Sequence, residues 1–401
     1  MKKVFLHAAS VLLLFALIFC LSSCDFASQL AENLADYLEE QAANGQGSGN
    51  GNAVTVDPAE PSQTGGTDPA AAENKIPFVR EPKVSSVALP AETFTDALEK
   101  EASDITDKAI SRALGCVEVM KDGRHSSVSF SFDGDANGYI SELSPEEKEL
   151  FSKIAGAAKK GETFKVTENE YKGDLKKAYF ALHQPLSCCE PGIYSYCDTD
   201  VTSHLTVSGD DYVSRYSAIW TYFYDPYTDQ NDRVDLGAVS LPDVLHGAEL
   251  LDRVVKRIVR FMPEDISTYD KYYYLAAVLS ELVAYDKRPD NCFTAFGALV
   301  GGRSVCEGYA AAYYMLCREA DLWCAYRNGM PEGQGHVWNM VKLESGIYNV
   351  DVTWCDGADT PYKRDWYDCF MKTDEEFEKD GHAVTSGVEG TGDRVPSPYE
   401  E

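Results

Sequence analysis

Three residue types that could carry acyl transfer recur between Gly302 and Trp354: a cysteine at 306, a histidine at 336 and an aspartate at 351. In that chemistry a sulfur attacks a carbonyl, an imidazole accepts and returns a proton, and a carboxylate fixes the imidazole tautomer and stabilises its charged form. Singly, each has an ordinary explanation: a small buried hydrophobe, a satisfied strand histidine, a turn or cap residue. Their surroundings say more. Gly301 and Gly302, then Arg303 and Ser304, precede an apolar series at Val305, Tyr309, Ala312 with Tyr313, Leu316 and Ala320. That is helical spacing, so Cys306 is expected in the first turn of a buried helix. Free backbone N–H groups and the positive end of the helix dipole favour a thiolate there, and the thiolate is the nucleophilic form.

The elements that must position the other two residues are strands. His336 to Leu343 (HVWNMVKL) and Ile347 to Trp354 (IYNVDVTW) are β-type runs joined through Glu344, Ser345 and Gly346, which read as a hairpin turn. His336 begins the first run and Asp351 lies late in the second, so antiparallel pairing brings them near one another. The register stays open. A two-residue turn at Ser345 and Gly346 puts both residues on one face; a three-residue turn separates them unless a bulge intervenes.

The segments GRSVCEGYA, HVWN and YNVDVTW together resemble the transglutaminase-like superfamily, in the form found on bacterial surface proteins. The family pattern has Val-Cys-x-Gly-Tyr-Ala at the nucleophile, His-x-Trp at the base, and Asp fifteen residues after that His, before Thr-Trp. The resemblance covers roughly 250–382. It implies an α+β, papain-like core with a nucleophile helix packed on an antiparallel sheet, with Cys306 as nucleophile, His336 as general base and acid, and Asp351 as orienting carboxylate. Tyr285-Asp286 also matches the family. Transglutaminases proper place an upstream Trp at the oxyanion; Trp220 lies too far back to align, so hydrolysis is as natural a reading as transamidation. Trp338 and Trp354 flank the base and carboxylate, and with Tyr309 they are candidates for a substrate cleft, core packing being the alternative.

From its start, the chain opens with Met-Lys-Lys and an apolar run, Val4 to Phe19, which reads as a signal peptide over 1–23. Leu21-Ser22-Ser23-Cys24 resembles a bacterial lipobox, implying lipid attachment at Cys24 and extracytoplasmic anchoring to the cell membrane. Asp25 to Gln41 has the pattern of a short helix. From Ala42 to about Lys75 there are almost no large apolar residues, so residues 24–75 read as a lipidated, disordered tether spanning on the order of 30 Å.

An upstream α+β region is expected over 76–242. Glu92 to Leu114 has helical spacing, Cys116 to Met120 and Ser127 to Phe132 read as a hairpin, and Ser144-Pro145-Glu146-Glu147 opens a helix with proline at its first position. Thr163 to Thr167 and Asp211 to Tyr224 look like strands. The transglutaminase-like domain is expected over 243–383, led by helices Val244 to Phe261 and Ser267 to Tyr285, the second capped by Ser267 and Asp270. Asp365 to Met371 reads as a further strand and 384–401 as a flexible tail.

A net charge of −29 argues against nucleic acid and against adsorption to anionic lipid, leaving the lipid anchor as the only membrane contact. His183, His204, Cys188, Cys189 and Cys197 lack zinc-site spacing, and neither a Gly-rich phosphate loop nor a calcium loop is present, so no cofactor or metal is expected. Of twelve cysteines, nine remain after Cys20, Cys24 and Cys306; Cys317, Cys324 and Cys355 fall in core elements and are expected buried and reduced. Two function classes follow. One is a monomeric cysteine protease, amidase or transamidase acting on a peptide or protein, cell-wall peptide included, through a thioester on Cys306. The other is a cell-surface binding module that keeps the fold without catalysis.

Overall fold

The computed structural model describes residues 97–120, 125–158, 160, 164–167, 170–194, 198–208, 211–221, 241–288, 292–357 and 364–397, all within one compact unit, Glu81–Glu401. The signal, the lipobox and the expected helix at Asp25 to Gln41 lie outside the described residues.

Helix α1 (Ala97–Met120) absorbs the expected strand at Cys116 to Met120, and Ser127 to Phe132 forms no strand. The cause is tertiary: Cys116 and Val117 are buried against α5 in the largest core, so helical burial overrides the local alternation. Helix α2 (Pro145–Ala158) starts as its sequence predicts. The Ser144 hydroxyl accepts from Glu147 N–H at 3.2 Å, and Glu147 Oε2 accepts from Ser144 N–H at 2.8 Å, a reciprocal cap. Strand β1 (Phe164–Thr167) and helix α3 (Leu175–Gln184) close a small core with α2 around Phe151, Ile154, Val166 and Leu182. Strands β2 (Asp198–Ser208) and β3 (Asp211–Thr221) complete an antiparallel sheet in the order β1-β3-β2.

Helix α4 (Leu241–Arg260) leads to α5 (Thr268–Leu282), where the Ser267 hydroxyl accepts from Asp270 N–H. The α5 face that carries Tyr269, Tyr272, Tyr273, Leu275, Ala276 and Leu279 is buried. Tyr272 and Tyr274 keep their phenols satisfied on the carbonyls of Trp323 and Ile258. The helix stops before Tyr285, which instead enters the short strand β4 (Ala284–Tyr285), beside β5 (Arg303–Ser304) in a parallel pair. Between them lies the one-turn helix α6 (Ala295–Leu299), and after β5 comes α7 (Cys306–Glu319).

The second sheet is antiparallel throughout, in the order β10-β6-β7-β8-β9: β6 (Cys324–Gly329), β7 (His336–Leu343), β8 (Gly346–Val350), β9 (Phe370–Lys372) and β10 (Val384–Gly387). One face of this sheet, with Val337, Val341, Tyr348 and Val350, lies in the main core with α5 and α7. The other, with Ala325, Trp338 and Met340, packs on Phe377 of α9 (Asp374–Lys379). This is the expected α+β arrangement, a nucleophile helix on an antiparallel sheet.

Three further expectations change. The strand after Ile347 ends at Val350, and Val352–Gly357 is helix α8, because Asp351 caps it: Trp354 N–H donates to Asp351 Oδ1 at 3.2 Å. Arg364–Cys369 is a 3-10 helix, leaving only Phe370–Lys372 as strand. The tail is ordered through 397, since β10 pairs with β6, Gly390 N–H bonds Asp374 Oδ2, and Thr391 and Gly392 N–H both bond the Ile347 carbonyl. Among the described residues all nine cysteines are free thiols; Cys317, Cys324 and Cys355 are buried.

Candidate active site

Cys306 is the first residue of α7, capped by Val305 in extended conformation, and its side chain is partly buried. The loop before it is held on both sides. Ala284 N–H bonds Gly302 O at 2.9 Å, Asp286 N–H bonds Ser304 O at 3.0 Å, and Val305 N–H bonds Cys292 O at 3.0 Å. The Asp286 carboxylate accepts from Arg288 and Arg303, each at 2.8 Å, and hydrogen bonding from Arg288 first, then Arg303, keeps it well below the usual carboxylate range against a smaller burial effect. Tyr285-Asp286 thus positions the nucleophile loop. Gly308 has a steric reason: a Cβ there would meet the Ser304 hydroxyl and the carbonyls of Thr294 and Cys292, each closer than a real Cβ allows. The helix start can press onto its loop only with glycine at the third position.

The register of β7 and β8 settles the hairpin. Leu343 pairs with Gly346, so the turn is two residues, Glu344 and Ser345, one position earlier than the two-residue turn considered above. The parity is the same. Continuing the ladder sets Asp351 opposite Trp338, on the face that also carries His336. The two meet directly, His336 Nε2 donating to Asp351 Oδ2 at 2.6 Å, and Cys306 acts on the same imidazole, favouring its protonated form. With Nε2 on the carboxylate, Nδ1 is the nitrogen left for the sulfur. The buried Asn339 of β7 donates to the Ala310 carbonyl of α7 at 3.2 Å, tying the strand that begins with His336 to the helix that begins with Cys306.

The electrostatics follow from this packing. Burial disfavours a charged His336, but the Asp351 charge and hydrogen bond, helped by Cys306, outweigh it and raise the imidazole to about 10. Burial likewise disfavours an ionised Asp351, and His336 followed by His382 overcomes it, holding the carboxyl well below its usual range. The site therefore presents a cationic imidazole on an anionic carboxylate at neutral pH.

Two of the three cleft candidates are buried in the core. Trp338 is 1% exposed, its indole N–H donating to Asn349 Oδ1 at 2.8 Å, and Tyr309 is 1% exposed, its phenol bonded to Val283 O and Asp356 Oδ2. Desolvation, with Asp356 adding to it, pushes the Tyr309 phenol far above its ordinary value. Neither side chain is open to a ligand. Trp354 is partly buried, with its ring 5.6 Å from that of His336. The exposed aromatic beside the nucleophile is Tyr285, 57% exposed, whose phenol burial raises first and the Cys306, Cys292 and Asp351 charges raise further.

One residue escapes sequence reasoning altogether. His382 is 0% exposed, and its Nε2 lies 3.1 Å from the same Asp351 Oδ2 that His336 engages. His336, Asp351 and His382 have the spacing of a metal trio, yet their facing atoms are hydrogen-bonded to one another. A cation among them would break the His336–Asp351 contact. The available signal for His382 was a helix frame: Thr373 and Glu376 form a capping box, and Gly381 follows the helix end at φ +92°.

Residues 254–355 match the family model described as the transglutaminase-like superfamily. No curated protein matches the chain. A solved structure of a candidate cysteine protease from Cytophaga hutchinsonii is similar over 39% of this chain and 64% of its own, at 13% identity and a TM-score of 0.24, so this chain spans a little under two thirds of that protein. The family match encloses Cys306, His336 and Asp351, and the segment that bears them is a transglutaminase-like superfamily core.

Proposed function

We propose that the protein is an extracytoplasmic lipoprotein, anchored through Cys24, that performs cysteine acyl transfer on peptide or carboxamide bonds. The observation that carries the reading is the 2.6 Å His336–Asp351 pair, acted on by Cys306 from the first turn of α7. The Cys306 sulfur adds to the substrate carbonyl, and the S–C bond forms as the oxyanion accepts from the Cys306 backbone N–H, free at the helix start. His336 gives its proton to the leaving amine or ammonia, the C–N bond breaks, and a thioester remains. Water, or a second amine, then loses a proton to His336 and attacks the thioester, and the C–S bond breaks with the sulfur leaving as a thiolate beside the recharged imidazole. Asp351 keeps the imidazole oriented throughout and stabilises it whenever it is charged. The site serves a protease or amidase as well as a transamidase.

The test is selective alkylation. In the full-length chain at pH 6, Cys306 should react with iodoacetamide at least tenfold faster than the other described cysteines, and His336→Ala should abolish that advantage. Uniformly slow labelling of wild type would sink catalysis and favour a binding surface on the same fold. Given fast labelling, a panel of peptides and primary amides separates hydrolysis from transamidation, and Cys306→Ala must abolish either. The anchor is tested separately, by release of Cys24→Ala protein from membranes.

A further inference from the structure

His382 is held in place by local structure before it touches the site. It follows α9, whose end carries both bonds of a Schellman motif: His382 N–H to Phe377 O at 3.0 Å and Gly381 N–H to Glu378 O at 3.2 Å. Gly381, at φ +92°, makes the reversal possible. The motif's hydrophobic contact is then His382 itself, stacked on Phe377 at 4.0 Å between centroids, with Trp354 4.1 Å away on another side. Packing alone would be served by a phenyl ring. An imidazole here leaves Nδ1 buried and without a hydrogen bond, Asp380 Oδ2 lying 3.6 Å away. What the imidazole gains over a phenyl is the Nε2 contact with Asp351.

We propose that His382 is a positioning residue of the acyl-transfer site, its Nε2–H fixing the Asp351 carboxylate in the orientation that engages His336. The inference rests on the cysteine acyl-transfer reading above. Asp351 receives three donors: Trp354 N–H on Oδ1, and His336 and His382 on Oδ2. His336 changes charge each time it passes a proton, so its hold on Oδ2 varies through a cycle. His382 stands outside that exchange and keeps the carboxylate from turning away while His336 is neutral. The ionisable groups facing the pair are Asp351, His336 with Cys306 beyond it, Cys355, Cys369, Tyr285 and Tyr309 on which the Asp351 charge acts, and Asp380, on which Asp368 and Lys372 also act.

The experiment is a pH titration of the His336 imidazole by NMR in the 15N-histidine-labelled full chain, comparing wild type, His382→Phe and His382→Gln. Phenylalanine keeps the stacking and removes the donor; glutamine can return an N–H to Oδ2. The expected result is a downward shift of the His336 midpoint by at least about one unit, tenfold in proton affinity, in His382→Phe, with glutamine restoring most of it. An unmoved or raised midpoint in a folded His382→Phe protein overturns the proposal. Should that variant not fold, the wild-type spectrum decides: the Nε2–H tautomer of His382 with an exchange-protected proton is required, and the Nδ1–H tautomer overturns the role. Cys306 alkylation in the same samples is a separate reading. Slow wild-type alkylation defeats acyl transfer and leaves the His336 shift to report on Asp351 alone.

Discussion

The two faces of the five-stranded sheet are built by different physics. Toward α5 and α7 the strands present Val337, Val341, Tyr348 and Val350, which join a core of aliphatic and tyrosine side chains. Toward α9 they present Arg327, Trp338 and Asn349, with Asp351 at the strand end, joined side chain to side chain. Arg327 grips Asp374 through two nitrogens at 2.6 and 2.9 Å, Asn349 donates to Asp374 at 2.8 Å and accepts from Trp338, and Asp351 takes both histidines. The first face derives its stability mainly from area, which is non-directional and tolerant of shape, with Asn339 as its directional tie to α7. The second derives its geometry from hydrogen bonds, which are directional and costly to leave half-made. The chemistry sits at the edge of the second face, where angles matter, and the nucleophile is delivered from the first, where only the helix axis must be held.

The sharpest way to break that division is Asp351→Asn. It keeps the shape, removes the charge and offers an amide where the imidazoles need an acceptor. Acyl transfer should fall on the order of 10⁴-fold on whichever peptide or amide the panel identifies, through a wrong tautomer of His336. Activity within tenfold of wild type would mean that the polar face serves stability and not chemistry.

A paired comparison tests the faces for stability. Asp374→Ala strands the buried Arg327 guanidinium without its carboxylate and should cost about 3–5 kcal/mol. It should also slow Cys306, because α9 and the segment carrying His382 lose their tie to the sheet. Leu316→Ala, fully buried on α7, should cost about 2–5 kcal/mol by cavity formation and leave Cys306 alkylation per folded molecule unchanged. Both are read by denaturant unfolding with alkylation at low denaturant. If Leu316→Ala slows alkylation as much as Asp374→Ala does, the faces are not separable.

Legibility in the sequence divides along the same line. The apolar face was open to pattern reading: helical spacing after Val305 gave α7, the capped Ser267 start gave α5, and alternation gave β7. Cys306, His336 and Asp351 were readable from residue type and spacing. The hydrogen-bonded face was far less so. The run YNVDVTW alternates like a strand, and only the Asp351 cap on Trp354 N–H, a contact that competes with the ladder, turns its second half into α8. Trp338 and Tyr309 look like cleft aromatics because nothing local reveals that Asn349 and Asp356 receive them. His382 needs two facts that lie thirty residues apart, the turn at Gly381 and the strand end at Asp351. The ordered tail had no pattern of its own, since it is held by edge pairing with β6 and by Asp374.

The mildest test follows pH. The His336 imidazole is raised from 6.5 to about 10 in the folded chain, so its interaction with Asp351 stabilises fully below pH 6.5 and is lost as pH rises toward 10. Asp351 is lowered from 3.8, so its share is present above that value and is lost as pH falls through the depressed folded value. The stability difference between wild type and His336→Gln should therefore be largest between about pH 4 and 6.5 and shrink steadily to pH 10, as read by thermal unfolding. The difference between wild type and Leu316→Ala, a matter of volume, should stay flat over the same range. A flat His336→Gln difference would mean that the imidazole is neutral when folded and that the polar face is held by shape, as the apolar one is.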